Sequence, residues 1–307
     1  MATVPQEPGS SKPDAILSVD RIVRKFGGVT AVDVDHLEVQ RGAITALIGP
    51  NGAGKTTFFN LITGFDKPSS AKPAFRSGDE YAAWKFNGRS LTSTSAFRVA
   101  QAGMVRTFQL TKALERMTVM DNMLLGSQDQ SGERLTQALL RPLWRAKEAA
   151  IRAKAEDLLD RFKLLDKKND YAGSLSGGQR KLLEMARALM SDPAMIMLDE
   201  PMAGVNPALT QSLLGHIESL RDLGTTVLFV EHDMHMVRHI SDWVVVMAEG
   251  LIVAEGPPEN VMQHQAVVDA YLGSHHDQDL GDDSVLNEDF EAAAAQEAIE
   301  RGKVESE

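Results

Sequence analysis

The sequence predicts an α/β fold: a mostly parallel sheet carrying antiparallel β additions. Three observations predict it. Short, largely apolar runs at Ala43–Ile48, Ala194–Leu198 and Thr226–Val230 read as strands buried on both faces. Helical patterns separate them, as crossovers between parallel strands require. The first run passes directly into Gly49-Pro50-Asn51-Gly52-Ala53-Gly54-Lys55-Thr56-Thr57 and then into Phe58-Phe59-Asn60-Leu61-Ile62, the start of a helix.

The remaining elements follow in order. Residues 1–14 are rich in Pro, Ser and Gly and are expected to be flexible. Regular structure is expected to begin near Ala15-Ile16-Leu17-Ser18-Val19, with a turn over Arg24–Gly28 and alternation at Leu37-Glu38-Val39. After the first helix the chain is irregular from Asp66 to about Ala83. Trp84-Lys85-Phe86 then reads as a short strand in which both aromatics pack. A short helix is expected over Arg98–Met104. From Leu135 to about Leu165 the pattern is helical, with Leu158, Leu159, Phe162 and Leu165 on one face. Leu175–Gln179 interrupts, and a second helix is expected over Arg180–Met190. Another runs from about Ala208 to Leu223. Trp243–Met247 and Leu251–Val253, joined through Glu249-Gly250, predict a hairpin.

Composition narrows the chemistry. With no cysteine among 307 residues, disulfides, thiolate zinc sites and Fe–S ligation are excluded. No apolar run is long enough to span a bilayer, and the N-terminus has no apolar signal core, so a membrane role is expected to come through a partner. Of the formal charge of −11, the segment from Ser274 onward holds eleven acidic and two basic residues, which leaves the body near neutral. Such a body has no electrostatic footprint for nucleic acid, and none is expected as a partner.

The chemistry concentrates at the ends of the buried strands, where open α/β sheets bind ligands. The spacing G-x-x-x-x-G-K-T forms a phosphate cradle. Gly49, Asn51, Gly52 and Gly54 shape it, Lys55 pairs with the β- and γ-phosphates, and Thr57 follows on the helix. The Thr56 hydroxyl and the Asp199 carboxylate are the expected Mg²⁺ ligands, hard oxygens as that cation demands. Glu200 is placed to act as general base on the attacking water. His232, after another buried strand, is expected to contact the γ-phosphate. Ser176-Gly177-Gly178 before a helix makes a second anion-binding N-terminus, which one nucleotide in one subunit does not need. Two subunits head to tail would use both.

The order of Gly49–Thr57, Gln109, Leu175–Gln179, Leu198-Asp199-Glu200-Pro201 and His232 resembles the ATP-binding subunit of ABC transporters, over about residues 15–273. The resemblance implies a P-loop NTPase (RecA-like) core at about 15–108 and 187–273. It implies an inserted α-helical signature subdomain at about 109–186 and leaves an acidic, disordered tail at 274–307. It also implies that Phe26 stacks on adenine and that Gln109 touches Mg²⁺ or the attacking water. Ser176, Gly177, Gly178 and Gln179 are implied as the signature meeting the partner's γ-phosphate, and His232 as the switch histidine. Phe26–Ala31, Val105–Gln109, Ala203–Pro207 and Glu231–Met234 are similar to importers of branched-chain and other hydrophobic amino acids, a branch that also takes urea or short amides. The implied partners are a second ATPase subunit, two transmembrane permease subunits and, indirectly, a solute-binding protein. The implied location is peripheral, on the cytoplasmic face of a bacterial inner membrane. The rival is a soluble ABC ATPase acting as an assembly or interaction factor.

The sequence departs from the family at Asn206, where most members have Asp, at the Lys67–Trp84 insertion, and in the acidic tail. Met117, Met120 and Met123, spaced by three, read either as a repacking groove for a membrane subunit or as helix core.

Overall fold

Every residue of Ile44–Ile48 (β3) is buried, and its side chains divide between two cores. Ile44, Ala46 and Ile48 face one core and Leu47 faces the other. The strands Met195–Asp199 (β7), Thr226–Val230 (β8) and Trp243–Ala248 (β9) divide in the same alternating way. That is why their sequences read as apolar runs without a polar face. The computed structural model describes residues 4–69, 83–92, 94–107, 114–127, 141–205 and 207–273, with only the backbone at 141–146, 207–208 and 272–273. Gln109, Asn206, most of the insertion and the acidic tail lie outside the described residues.

Among the described residues the central sheet has six strands in the order β10-β9-β3-β8-β7-β6, where β6 is Met104–Arg106 and β10 is Leu251–Gly256. β9, β3, β8, β7 and β6 are parallel, and β10 adds antiparallel through the expected hairpin. A second, antiparallel sheet is ordered β2-β1-β4-β5, from Ala15–Phe26 (β1), Val29–Gln40 (β2), Ala83–Phe86 (β4) and Arg89–Ser90 (β5). Between the two sheets lies helix α1, Lys55–Ile62, whose Phe58, Phe59, Leu61 and Ile62 are buried. Burying one such phenylalanine contributes about 2–3 kcal/mol, so α1 is held by packing more than by helix propensity.

Between β6 and β7 the chain builds α3 (Val119–Leu125), α4 (Arg141–Arg161) and α5 (Gly177–Leu189), which pack together over the other core. Met120 and Met123 are buried there, so the core reading holds for both. Pro207–Asp222 (α6), Met234–Ile240 (α7), Pro258–Val261 (α8) and Gln265–Gly273 (α9) complete the fold, and α2 is Ala96–Gln101. Among the described residues no helix is long and apolar enough to cross a membrane.

Four local expectations are corrected. The N-terminal segment is pinned at Val4, Ser10 and Lys12, which are buried, while Pro5 to Pro8, Ser11, Pro13 and Asp14 stay exposed. Lys12 Nζ bonds Glu255 Oε2 at 3.1 Å with both side chains fully buried, and it lies 4.3 Å from the Trp243 ring centre. The turn expected over Arg24–Gly28 narrows to Gly27-Gly28, with β1 running through Phe26. The helix expected to reach Met104 stops at Gln101. Gly103, at φ 97°, turns the chain so that Met104 can pair with Met195 in β7. The helix expected from Arg180 begins at Gly177 instead. Ser176 Oγ accepts from Gln179 N–H while Gln179 Oε1 accepts from Ser176 N–H, so the glycines form its first turn.

Candidate active site

The loop after β3 closes tightly because its glycines permit it. Gly49 and Gly54 have φ of 147° and 98°, and a Cβ there would meet the Met247 carbonyl oxygen at 2.0 Å and the Ala31 carbonyl oxygen at 2.3 Å. Any side chain at either place would push the loop off the sheet. Gly52, at φ 81°, instead faces open space beside the exposed Asn51. Gly54 also caps α1, which therefore presents its N-terminal amides to the loop's mouth. Lys55 Nζ donates to the carbonyls of Gly49 at 2.6 Å and Pro50 at 2.9 Å, which arches it across the loop. Burial lowers the Lys55 pKa, while Glu200 and Asp199 pull it back upward. Those two acids are thus within electrostatic reach of Lys55. Thr56 is exposed and Thr57 half-buried.

β7 delivers Asp199 and Glu200. Asp199 is buried at the strand's end, where its Oδ2 accepts from Arg106 Nη2 at 2.6 Å. Glu200 has φ 45°, a left-handed conformation uncommon for a residue with a side chain. Its N–H donates to the Val230 carbonyl at 3.0 Å, and its carbonyl accepts from Lys181 Nζ at 3.2 Å. Lys181 also donates to the Ala203 carbonyl at 2.5 Å, which anchors the loop after β7 to helix α5. Burial lowers the Lys181 pKa, against the opposing pull of Glu231, Glu184 and Glu200.

β8 lies between β3 and β7, so His232, just past it, falls on the same edge as the loop and Glu200. The His232 side chain is 67% exposed, with Nδ1 3.7 Å from Glu231 Oε2. Glu231 is buried and accepts from the Met202 N–H at 2.9 Å and the His232 N–H at 3.3 Å. Burial raises its pKa, and those two amides partly counter the rise.

Other expected site residues lie elsewhere. Ser176 to Gln179 stand at the start of α5 in the helical layer, where Ser176 and Gln179 cap their own helix. Gly177 has open space beside it, whereas a Cβ on Gly178 would meet Leu209 Cδ2 at 3.1 Å. Phe26 ends β1 with its ring half exposed, under the Arg24 guanidinium at 4.4 Å. Gln109 lies outside the described residues.

The residues present suit a magnesium nucleotide. Asp199 at the end of β7 offers one carboxylate and Thr56 in the first turn of α1 one hydroxyl. No group of three or more His, Cys, Asp or Glu that could hold a metal by itself occurs among the described residues. Hard oxygens of this kind could hold a cation whose other ligands come from substrate phosphates.

Sequence reasoning missed the residues that hold these in place: Arg106, Asn60, Lys181, Glu231 and Tyr271. Burial pushes the Tyr271 phenol up to about 12, with the Gly49 backbone pulling the other way, which puts α9 against the loop's first glycine. Arg106 stands in the quoted run Val105–Gln109, and Glu231 in Glu231–Met234. For the other three the signal is a partner far away in sequence.

Comparison with known proteins identifies the family. The family profile described as ABC transporter matches residues 32–203, and that described as branched-chain amino acid ATP-binding cassette transporter matches residues 252–277. A probable branched-chain amino acid transport ATP-binding protein, LivG, of Archaeoglobus fulgidus is 37% identical over 259 residues, 84% of this chain and 96% of the relative. The high-affinity branched-chain amino acid transport ATP-binding protein LivG of Escherichia coli (strain K12) is 38% identical over 260 residues, 84% and 98% of the two chains. A crystal structure of a nucleotide-free ATP-binding cassette from an ABC transporter aligns with a TM-score of 0.70 at 37% identity, covering 84% of this chain and 98% of that one. Fold and relatives therefore place the chain in the ABC transporter family as an ATP-binding protein, on its branched-chain amino acid branch.

Proposed function

We propose that this chain hydrolyses MgATP as one of two ATPase subunits beneath a pair of permease subunits, and so drives import of branched-chain amino acids. ATP binding and hydrolysis are the family's activity. The substrate is suggested by the relatives' names and by the C-terminal match.

One observation carries the two-subunit reading. The phosphate loop, Asp199, Glu200 and His232 share one sheet edge, while Ser176 and Gly177 stand exposed at the start of a helix in a separate layer. A second copy or a close relative, head to tail, would bring its own Gly177 face to this chain's γ-phosphate. In that closed site Lys55 and the loop amides bind the phosphates, and Thr56 and Asp199 hold the cation, which supplies charge neutralisation when bound. Glu200 takes the proton of the attacking water, and His232 and Gln109 orient the γ-phosphate end. Closure then moves the permease subunits from the cytoplasmic face, because ATP binds the closed state more tightly than the open one. A solute-binding protein acts indirectly, on the other side of the membrane.

The test is affinity purification of tagged Glu200→Gln protein from detergent-solubilised membranes with ATP, followed by uptake of labelled leucine and urea into vesicles holding the wild-type complex. Stoichiometric permease subunits and leucine-dependent ATP hydrolysis are expected. Recovery of a soluble homodimer alone would overturn the transport role, and uptake of urea without leucine would overturn the substrate.

A further inference from the structure

Arg106 divides its guanidinium between two elements. Nη2 donates to Asp199 Oδ2 at 2.6 Å on β7, and Nη1 donates to Asn60 Oδ1 at 2.6 Å on α1. The side chains of Arg106 and Asp199 are 4% and 5% exposed, and the guanidinium lies 5.4 Å from the Phe59 ring centre. Asn60 stands one helical turn after Thr56, on the same face of α1. The two elements that Arg106 joins are therefore those carrying the hydroxyl and the carboxylate assigned to the cation.

We infer that Arg106 is a positioning residue for the nucleotide's divalent cation, fixing α1 against β7 so that Thr56 and Asp199 stand at the spacing the cation needs. This rests on the MgATP reading of the site. The division of the fork is the telling feature. A guanidinium frequently grips a carboxylate through both oxygens. Here one nitrogen takes Oδ2 and the other goes to Asn60, which leaves Oδ1 of Asp199 for the cation. The planar fork sets both contacts at once, which the single flexible ammonium of lysine cannot do. β6 fixes the base of the side chain, because Arg106 pairs with Met197 and the next amide, Thr107 N–H, donates to the Met197 carbonyl at 2.9 Å.

The experiment measures affinity for a fluorescent ATP analogue in EDTA and in Mn²⁺, for wild type, Arg106→Lys and Asn60→Ala. The readout is the factor by which Mn²⁺ strengthens binding. A residue that only supports the fold would weaken both affinities together, whereas a positioning residue lowers the factor itself. Arg106→Lys is expected to keep its EDTA affinity near the wild-type value while the factor falls about tenfold, as when a metal ligand loses its supporting partner. Asn60→Ala, which cuts only the α1 half, should lower the factor less. A factor unchanged in both variants, or parallel losses in EDTA and Mn²⁺, would overturn the inference. If Arg106→Lys does not fold, Asn60→Ala decides alone: a lowered factor supports the inference and an unchanged one overturns it. Wild type that binds equally with and without Mn²⁺ would overturn the MgATP reading and this inference with it.

Discussion

Lys181 holds Glu200 by its main chain: the ammonium donates to the Glu200 carbonyl at 3.2 Å. The contact joins α5 to the residue proposed as base within one subunit. Lys181→Met should therefore leave the nucleotide Kd nearly unchanged and lower kcat by roughly 10- to 100-fold, the cost of a small misplacement of a reacting group. Steady-state ATP hydrolysis by the assembled transporter, set beside equilibrium nucleotide binding, checks it. A rise in Kd with kcat intact would assign Lys181 to binding instead.

Glu200 adopts φ 45°, a conformation in which any Cβ is unfavourable. Glu200→Ala and Glu200→Gly both remove the carboxylate, and both should abolish hydrolysis. They should differ in stability, the glycine variant being more stable by about 1 kcal/mol because it alone is relaxed at positive φ. Urea unfolding of the two proteins measures the difference. Equal midpoints would mean that the backbone relaxes once the side chain is gone.

Gly177 and Gly178 should separate folding from the proposed function. A Cβ at position 177 meets open space, and at position 178 it meets Leu209 Cδ2 at 3.1 Å. Gly177→Ala should stabilise the isolated chain by about 0.5 kcal/mol, as alanine does in a helix. Gly178→Ala should be less stable than Gly177→Ala by about 1 kcal/mol from overpacking. Gly177→Ala should nonetheless lose hydrolysis, since its open face is the one a partner's phosphate would reach. Full activity in that variant would count against the head-to-tail arrangement.

His216 on α6 stacks on Phe162 at the end of α4, with ring centres 4.4 Å apart. Burial, then the charge of Lys163, lowers its pKa below the ordinary 6.5. The unfolded chain thus takes up the proton first as the solution is acidified, so the stability present above pH 6.5 is lost as pH falls from there through the lower folded-state value, below which nothing further is lost. His216→Phe keeps a stacked ring without the proton. Its unfolding midpoint should fall less than that of wild type between pH 7 and the mildly acidic range. Parallel profiles would show that other groups set the acid sensitivity.

The parts of this molecule legible in the sequence are those whose cause is local. β3, β7 and β8 declared themselves because burial on both faces leaves an unbroken apolar run. The phosphate loop did so because close backbone approach demands glycine at set intervals. β6 did not, since a three-residue strand is defined only by its partner β7. The N-terminal segment looked flexible because nothing near Lys12 reveals that Glu255 and Trp243, over 230 positions later, receive it. The site divides in the same way. Lys55, Asp199, Glu200 and His232 sit in readable motifs, while the fork of Arg106 and the anchor of Lys181 exist only after folding.

The strand order has a consequence for synthesis. β3, which carries the phosphate loop, is flanked by β8 and β9, whose residues begin at 226 and 243. The ribosome must add some 180 residues after β3 before either neighbour exists. At about 5–20 residues per second that interval is roughly 10–40 s. Throughout it Ile-Thr-Ala-Leu-Ile has two unpaired edges, and the first half of the nucleotide site waits for the second. Newly made chains therefore pass through a period when this segment is open to misassociation. A chaperone that binds short apolar stretches would find it there, between the emergence of β3 and the arrival of β8.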